Sequence, residues 1–168
     1  MKRLPILAIF GAFQLAQVQA ADLPAACGPT DVRFDLKQDK TKHELAQAEP
    51  GKALVYFFQD TAPTRIAIDG AWVGANLGQS YFSVAMEPGE HHLCAKVDIA
   101  DNPTELAHFT SEPGEIYFYR GRVVVSGVGN YLFFGPVDGD EAKRMIHVYS
   151  LSQFKVHVDS LSQVKTGK

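Results

Sequence analysis

Few residues in this chain have the types and spacing that chemistry needs. Six histidines occur, His43, His91, His92, His108, His147 and His157. His91 and His92 are adjacent in a strand-forming stretch, so they point to opposite faces and cannot share one metal ion. A turn at Asn102 would put His108 opposite Lys96, away from both, and His147 lacks the second histidine of a zinc helix. Ser126, in Val-Ser-Gly-Val-Gly, resembles part of a nucleophile elbow, but no helix pattern follows it. Asp138, Asp140 and Glu141 lack the spacing of a calcium loop and suit a helix N-terminus better. The glycines of Gly78-Gln79-Ser80 and of Ser126–Asn130 have no Lys-Ser/Thr after them and so do not make a phosphate loop. The expectation is a non-enzyme with no metal and no cofactor.

Two kinds of residue remain. Cys27 and Cys94 are the only cysteines. In an oxidising compartment two thiols suggest one intramolecular bridge, worth ~4 kcal/mol by chain entropy for a loop this long; one buried and one free thiol is the alternative. Trp72 follows Asp69-Gly70-Ala71 near a hairpin tip, where an exposed indole could stack on a sugar or grip a peptide. Tyr117 and Tyr119 are placed on the outward face of their strand, and with Trp72 they form the candidate binding surface. The competing reading of Trp72, and the favoured one, folds it back over the sheet edge. Tyrosine is ordinary on a half-buried sheet.

The elements that hold these residues are mostly strands. Glu-Pro-Gly occurs at Glu49–Gly51, Glu87–Gly89 and Glu112–Gly114, each time directly before a strand-forming run. Proline presets the second position of a tight turn, and glycine accepts the positive φ of the third. Val32, Phe34 and Leu36 alternate with polar neighbours, as in a half-buried strand, and residues 38–49 read as a solvated connection. Leu54–Phe58 is continuously apolar, as a strand covered on both faces would be. Asp69-Gly70 marks a hairpin. On the run Leu93–Val97, Leu93, Ala95 and Val97 share one face and Cys94 points the other way, so a bridge to Cys27 would pin the N-terminal segment outside the sheet. Ile116–Val125 is long enough to bend or bulge near Gly121. From Asp140 the period changes, and Ala142, Met145, Ile146 and Tyr149 form one helical stripe with Asp138 or Asp140 as cap. Residues 150–168 read as a polar tail. Seven to nine strands and one late helix predict a mainly β chain: an antiparallel β-sandwich, immunoglobulin-, transthyretin- or PEGA-like, with one C-terminal helix.

Several of these stretches together resemble a known family. Gly51–Phe58, Ile68-Asp69-Gly70, Val73-Gly74, Ser80–Phe82, Pro88–His91 and Pro113-Gly114 ahead of Tyr117–Tyr119 occur in this order. The order is similar to that of a bacterial envelope family of unknown function, number twenty-eight forty-six in the domain-of-unknown-function series. Its Asp-Gly hairpin and Pro-Gly-x-His turn also resemble the PEGA module. The resemblance covers residues 51–146 and implies a small exported or lipid-anchored β-sandwich; it brings no catalytic residues.

Export is readable independently. Lys2 and Arg3 precede the apolar stretch Leu4–Phe13, and Val18-Gln19-Ala20 has the small-residue pattern of a cleavage site. Ten apolar residues are too few for a span that needs ~20. A lipid anchor at Cys27 is not favoured, because Pro24 stands where a lipobox has an aliphatic residue. The organisation expected is a signal peptide over 1–20, an N-terminal strand and polar linker over 21–50, the sandwich with its late helix over 51–149, and the tail. The full chain has 16 Lys+Arg against 19 Asp+Glu, net −3; losing Lys2 and Arg3 leaves 14 against 19, net −5. That balance argues against nucleic acid. The function expected is that of a periplasmic or secreted, non-catalytic module binding an envelope protein or glycan; the alternative is a small periplasmic hydrolase or inhibitor-like effector with a site assembled from distant residues.

Overall fold

The computed structural model describes residues 27–29, 32–99 and 103–158. The expected signal peptide and cleavage site, the turn expected at Asp101-Asn102 and the end of the expected tail lie outside them. Within Val32–Val158 the described residues form ten strands and one helix in order: β1 (Val32–Asp39), β2 (Ala53–Gln59), β3 (Thr64–Ile68), β4 (Ala71–Asn76), β5 (Ser80–Met86), β6 (Gly89–Val97), β7 (Thr104–Ser111), β8 (Ile116–Ser126), β9 (Gly129–Pro136), α1 (Gly139–Val148) and β10 (Ser150–Val158). They form a six-stranded sheet ordered β1-β10-β5-β2-β8-β9 and a four-stranded sheet ordered β4-β3-β6-β7. The two are stacked as a β-sandwich with one helix near the C-terminus, as the sequence predicts.

The turns explain the strand starts. At Glu49–Lys52 and Glu112–Glu115 the fourth residue's N–H bonds the first residue's carbonyl at 3.0 and 3.3 Å. Gly51 and Gly114 take φ of 80° and 83°, a conformation that a side chain would strain. Gly89 differs, with φ of 143°, and opens directly into β6.

β2 is the centre of the molecule. Ala53, Val55 and Phe57 face the inter-sheet core with Phe82, Leu93, Ala95 and Val97. Leu54, Tyr56 and Phe58 face outward under Ala142, Met145 and Ile146 of α1. Every residue of β2 is therefore buried, which is why its sequence shows no alternation. The linker is less solvated than its composition suggests. Leu45 and Ala48 pack beside this outer layer, and the Tyr56 hydroxyl accepts from Ala46 N at 2.8 Å.

Four features depart from the sequence reading. The large sheet is mixed, because β2 pairs parallel with β8 and β10 parallel with β5. Residues 150–158 are strand β10, antiparallel to β1 along its whole length, and not a polar tail. The helix makes this possible: ten residues span ~15 Å and carry the chain from β9 at one edge across the sheet to β5. β8 pairs with β9 without a register shift, so no bulge sits at Gly121. Gly121 is there because a Cβ would collide with the buried side chain of Gln59. Finally, the β6–β7 register puts Thr104, not His108, opposite Lys96, and His108 stands opposite His92.

Candidate functional site

The cysteines form the predicted bridge. Cys27 and Cys94 are bonded at 2.00 Å with Cα atoms 5.2 Å apart. Leu93, Ala95 and Val97 enter the core, whereas Cys94 lies on the outer face of the small sheet with Ala67. The segment from Cys27 is thereby pinned outside the sheet.

Trp72 completes this patch and is not an open platform. Its ring packs against the disulfide cluster, its Nε1 donates to Pro29 O at 2.6 Å, and the Arg65 guanidinium lies 5.0 Å from the ring centre. Gly28 has φ of 80°, and a Cβ there would lie 2.6 Å from Gly70 O, so the segment touches the hairpin backbone to backbone. The same tip is held from its other side by Asp69, which accepts from His92 N at 2.8 Å and contacts His91 Nδ1 at 2.7 Å. His91 Nε2 faces Glu87 O at 2.8 Å. With acceptors at both ring nitrogens, both contacts are hydrogen bonds only when the ring carries both protons. Burial works against the Asp69 carboxylate, but these hydrogen bonds outweigh it and hold its pKa below the usual 3.8.

Trp72 thus folds back as favoured from sequence, whereas Tyr117 and Tyr119 do not keep the outward face expected of them. They turn inward: Tyr119 is in the inter-sheet core against Phe57, Phe109 and Phe134, and Tyr117 packs on Phe109. The Tyr117 hydroxyl accepts from Glu112 N at 2.9 Å, and burial pushes the Tyr119 phenol up. None of the three aromatics proposed as a binding surface presents a free ring. His92 and His108, though cross-strand neighbours, are joined by no third group placed to hold a metal among the described residues.

The structure does assemble one polar cluster that sequence spacing hides. Asp60, after β2, receives Arg120 of β8 through Nε at 2.9 Å and Nη2 at 2.8 Å. Tyr149, at the end of α1, donates to the same carboxylate at 2.8 Å, and Glu141 pairs with Arg120 Nη1. Burial, followed by the bond to Asp60 and its charge, pushes the Tyr149 phenol up to about 12. The Asp60 bond likewise raises Arg120. A phenol holding its proton this tightly is neither base nor nucleophile near neutral pH. Through Glu141 and Tyr149 the cluster staples α1 to the sheet, while Asp138 caps the helix by accepting from Asp140 N at 2.9 Å and Asp140 pairs with Lys143.

The unfinished surface lies beside this staple. β9 is the outer strand of the large sheet and β7 the outer strand of the small one. A cleft of about 420 Å³ opens where they meet, with Glu105 of β7 on one wall and Leu132, Phe133, Phe134 and Gly135 of β9 on the other. Arg120 and Arg122 complete its lining. A Cβ on Gly135 would meet nothing within 4 Å, so the cleft is open above that residue. Further along β9, Phe133 is 56% and Tyr131 47% exposed, and at the hairpin tip Val125 and Val128 are 75% and 86% exposed. In the sequence this surface shows as the apolar run Tyr131–Phe134 ahead of Gly135. Compared with known proteins, the chain matches no family model, no curated protein and no solved structure.

Proposed function

We propose that this chain is an exported, non-catalytic binding module of the cell envelope that holds an extended segment of a partner protein along β9. One observation carries the reading: β9 pairs only with β8 among the described residues, and its other side opens onto the cleft shared with β7. A strand edge offers backbone donors and acceptors to an incoming strand, and pockets for alternate side chains supply selectivity. Phe133 and the bare position at Gly135 alternate with the inward Leu132 and Phe134, so an added strand would find one apolar contact and one empty site on its outer face. The bridge between Cys27 and Cys94 fits an oxidising compartment.

The test is photo-crosslinking from position 133 in an envelope extract, with Gly135→Trp as the blocking variant. Because the new side chain enters open space, the fold is expected to survive, as circular dichroism would verify. A crosslinked protein captured by wild type and lost with Gly135→Trp supports the reading. Equal capture by both moves the partner elsewhere. Turnover of an ester, peptide or glycan substrate by the purified protein would overturn the non-catalytic assignment.

A further inference from the structure

Beyond that cleft, we infer that the tip of the β8–β9 hairpin is a membrane-contact site for a bilayer surface carrying anionic lipid. The ribbon leaves the sandwich after Val123 and Leu132, the last buried pair. From there outward Val124 and Tyr131 are exposed on one face, Val125 is exposed on the other, and Val128 stands in the two-residue loop. A protein partner docking on a sheet covers one face. Apolar side chains bare on both faces of a projecting ribbon fit a medium that surrounds it.

The order of side chains along the ribbon agrees with this. Valines occupy the end, Tyr131 and Phe133 follow, and Arg122 is directly opposite Phe133. Three residues of strand from Val125 back to Arg122 cover ~10 Å, close to the ~5–10 Å to which interfacial segments bury their apolar parts. Aromatic rings then lie at headgroup depth, and the Arg122 guanidinium reaches the phosphates, which it can bind bidentately. Charge selects the same occupant. Residues 116–137 hold no carboxylate, and with Arg120 already paired to Asp60 and Glu141 the cation left to this ribbon is Arg122, although the chain as a whole is at −3. A second copy would bring the same cation to the contact; an anionic headgroup is complementary. The cleft shares Arg122 and Phe133 with the base of this ribbon but takes in neither Val125 nor Val128, so the valines test the tip apart from the cleft.

The measurement is flotation of the purified exported protein with vesicles of phosphatidylcholine alone and with about one third phosphatidylglycerol. Residues 4–13 would themselves bind lipid if retained, so wild type and variants are compared with the same N-terminus, checked by mass. We expect binding to the anionic vesicles that weakens with salt. Val125→Asp/Val128→Asp should lower it at least tenfold, and Arg122→Gln about fivefold on anionic vesicles only, the effect of one cation near such a surface. All three substitutions are at exposed positions, and unchanged circular dichroism would show that the variants are folded. Absence of wild-type binding to anionic vesicles, or binding indifferent to the aspartates, overturns the inference. So does wild-type self-association in sedimentation that the aspartates abolish while neither protein floats, which would make the tip a contact between copies.

Discussion

The β3–β4 and β8–β9 hairpins have tips of similar size and opposite finish. At the first, Asp69 and Gly70 take φ of 51° and 79°, the geometry that two-residue turns require. The Asp69 side chain is occupied by His91 and His92, and the Cys27 segment lies against the turn with Trp72 folded beside it. At the second, the side-chain bonds of the turn are local: the Ser126 hydroxyl donates to Gly129 O at 3.0 Å and accepts from Val128 N. Its valines are left in solvent. A tip that the chain itself covers is a structural joint. A tip whose apolar surface nothing in the described chain covers is where an outside surface can be met.

The comparison can be broken most forcefully at the bridge. Cys27→Ser/Cys94→Ser removes a 67-residue loop constraint, an effect of about 4 kcal/mol by chain entropy and less where the native state relaxes. Urea unfolding should show a loss of this order with far-ultraviolet dichroism retained, and the Trp72 emission should shift to the red as the segment over it loosens. Retained stability together with an unshifted emission would mean that the first tip is closed without the disulfide.

Trp72→Ala comes next, at about 2 kcal/mol, because the ring is half-buried and loses apolar contact as well as its bond to Pro29. Denaturant midpoints for this variant and for Trp72→Phe, which keeps most of the apolar contact, would separate packing from hydrogen bonding.

Asp69→Ala should cost about 1 kcal/mol at neutral pH, the worth of a hydrogen bond to a partly exposed group. Here the pH dependence has a sign. The folded carboxyl has its pKa below the usual 3.8, so its contribution is present above that value and lost as pH falls through the folded pKa. The stability gap between wild type and Asp69→Ala should therefore narrow below about pH 4. A gap that widens there would reverse the assignment of Asp69 as the closing group.

The smallest effect belongs to the other tip. Val125→Asp/Val128→Asp should change unfolding stability by no more than ~0.5 kcal/mol, as surface substitutions do, whatever it does to binding. A loss of several kcal/mol would show that these valines are packed and that the two tips are finished alike.

Much of the architecture was legible because its causes are local. The Glu-Pro-Gly triplets at Glu49 and Glu112 make their turns through φ preferences that need no distant partner. The stripe Ala142, Met145 and Ile146 is buried as its period requires. Strand β10 escaped notice because it shares its burial with others: Leu151 reaches the helix layer, and Ser152 and Phe154 turn inward opposite Gln38 and Leu36 of β1. Its second half, Phe154-Lys155-Val156-His157-Val158, does alternate as β1 does, a signal the sequence reading passed over. The outward placement of Tyr117 and Tyr119 failed for the converse reason. Ile116 and Phe118 are as apolar as the tyrosines, and both faces of β8 are covered there, one by α1 and one by the small sheet. Alternation says which residues share a face, not which layer that face meets.

The sequence by itself therefore determined the turns, the faces of β2 and β6, the outward position of Cys94 and the helix with its apolar stripe, all consequences of backbone preference and side-chain period. Only the tertiary structure decided that Asp60, Arg120, Glu141 and Tyr149 meet, that Trp72 covers a disulfide, and that the β8–β9 tip is left bare. Those outcomes depend on strand order, and long-range pairing is set by what every layer buries together, not by any single segment.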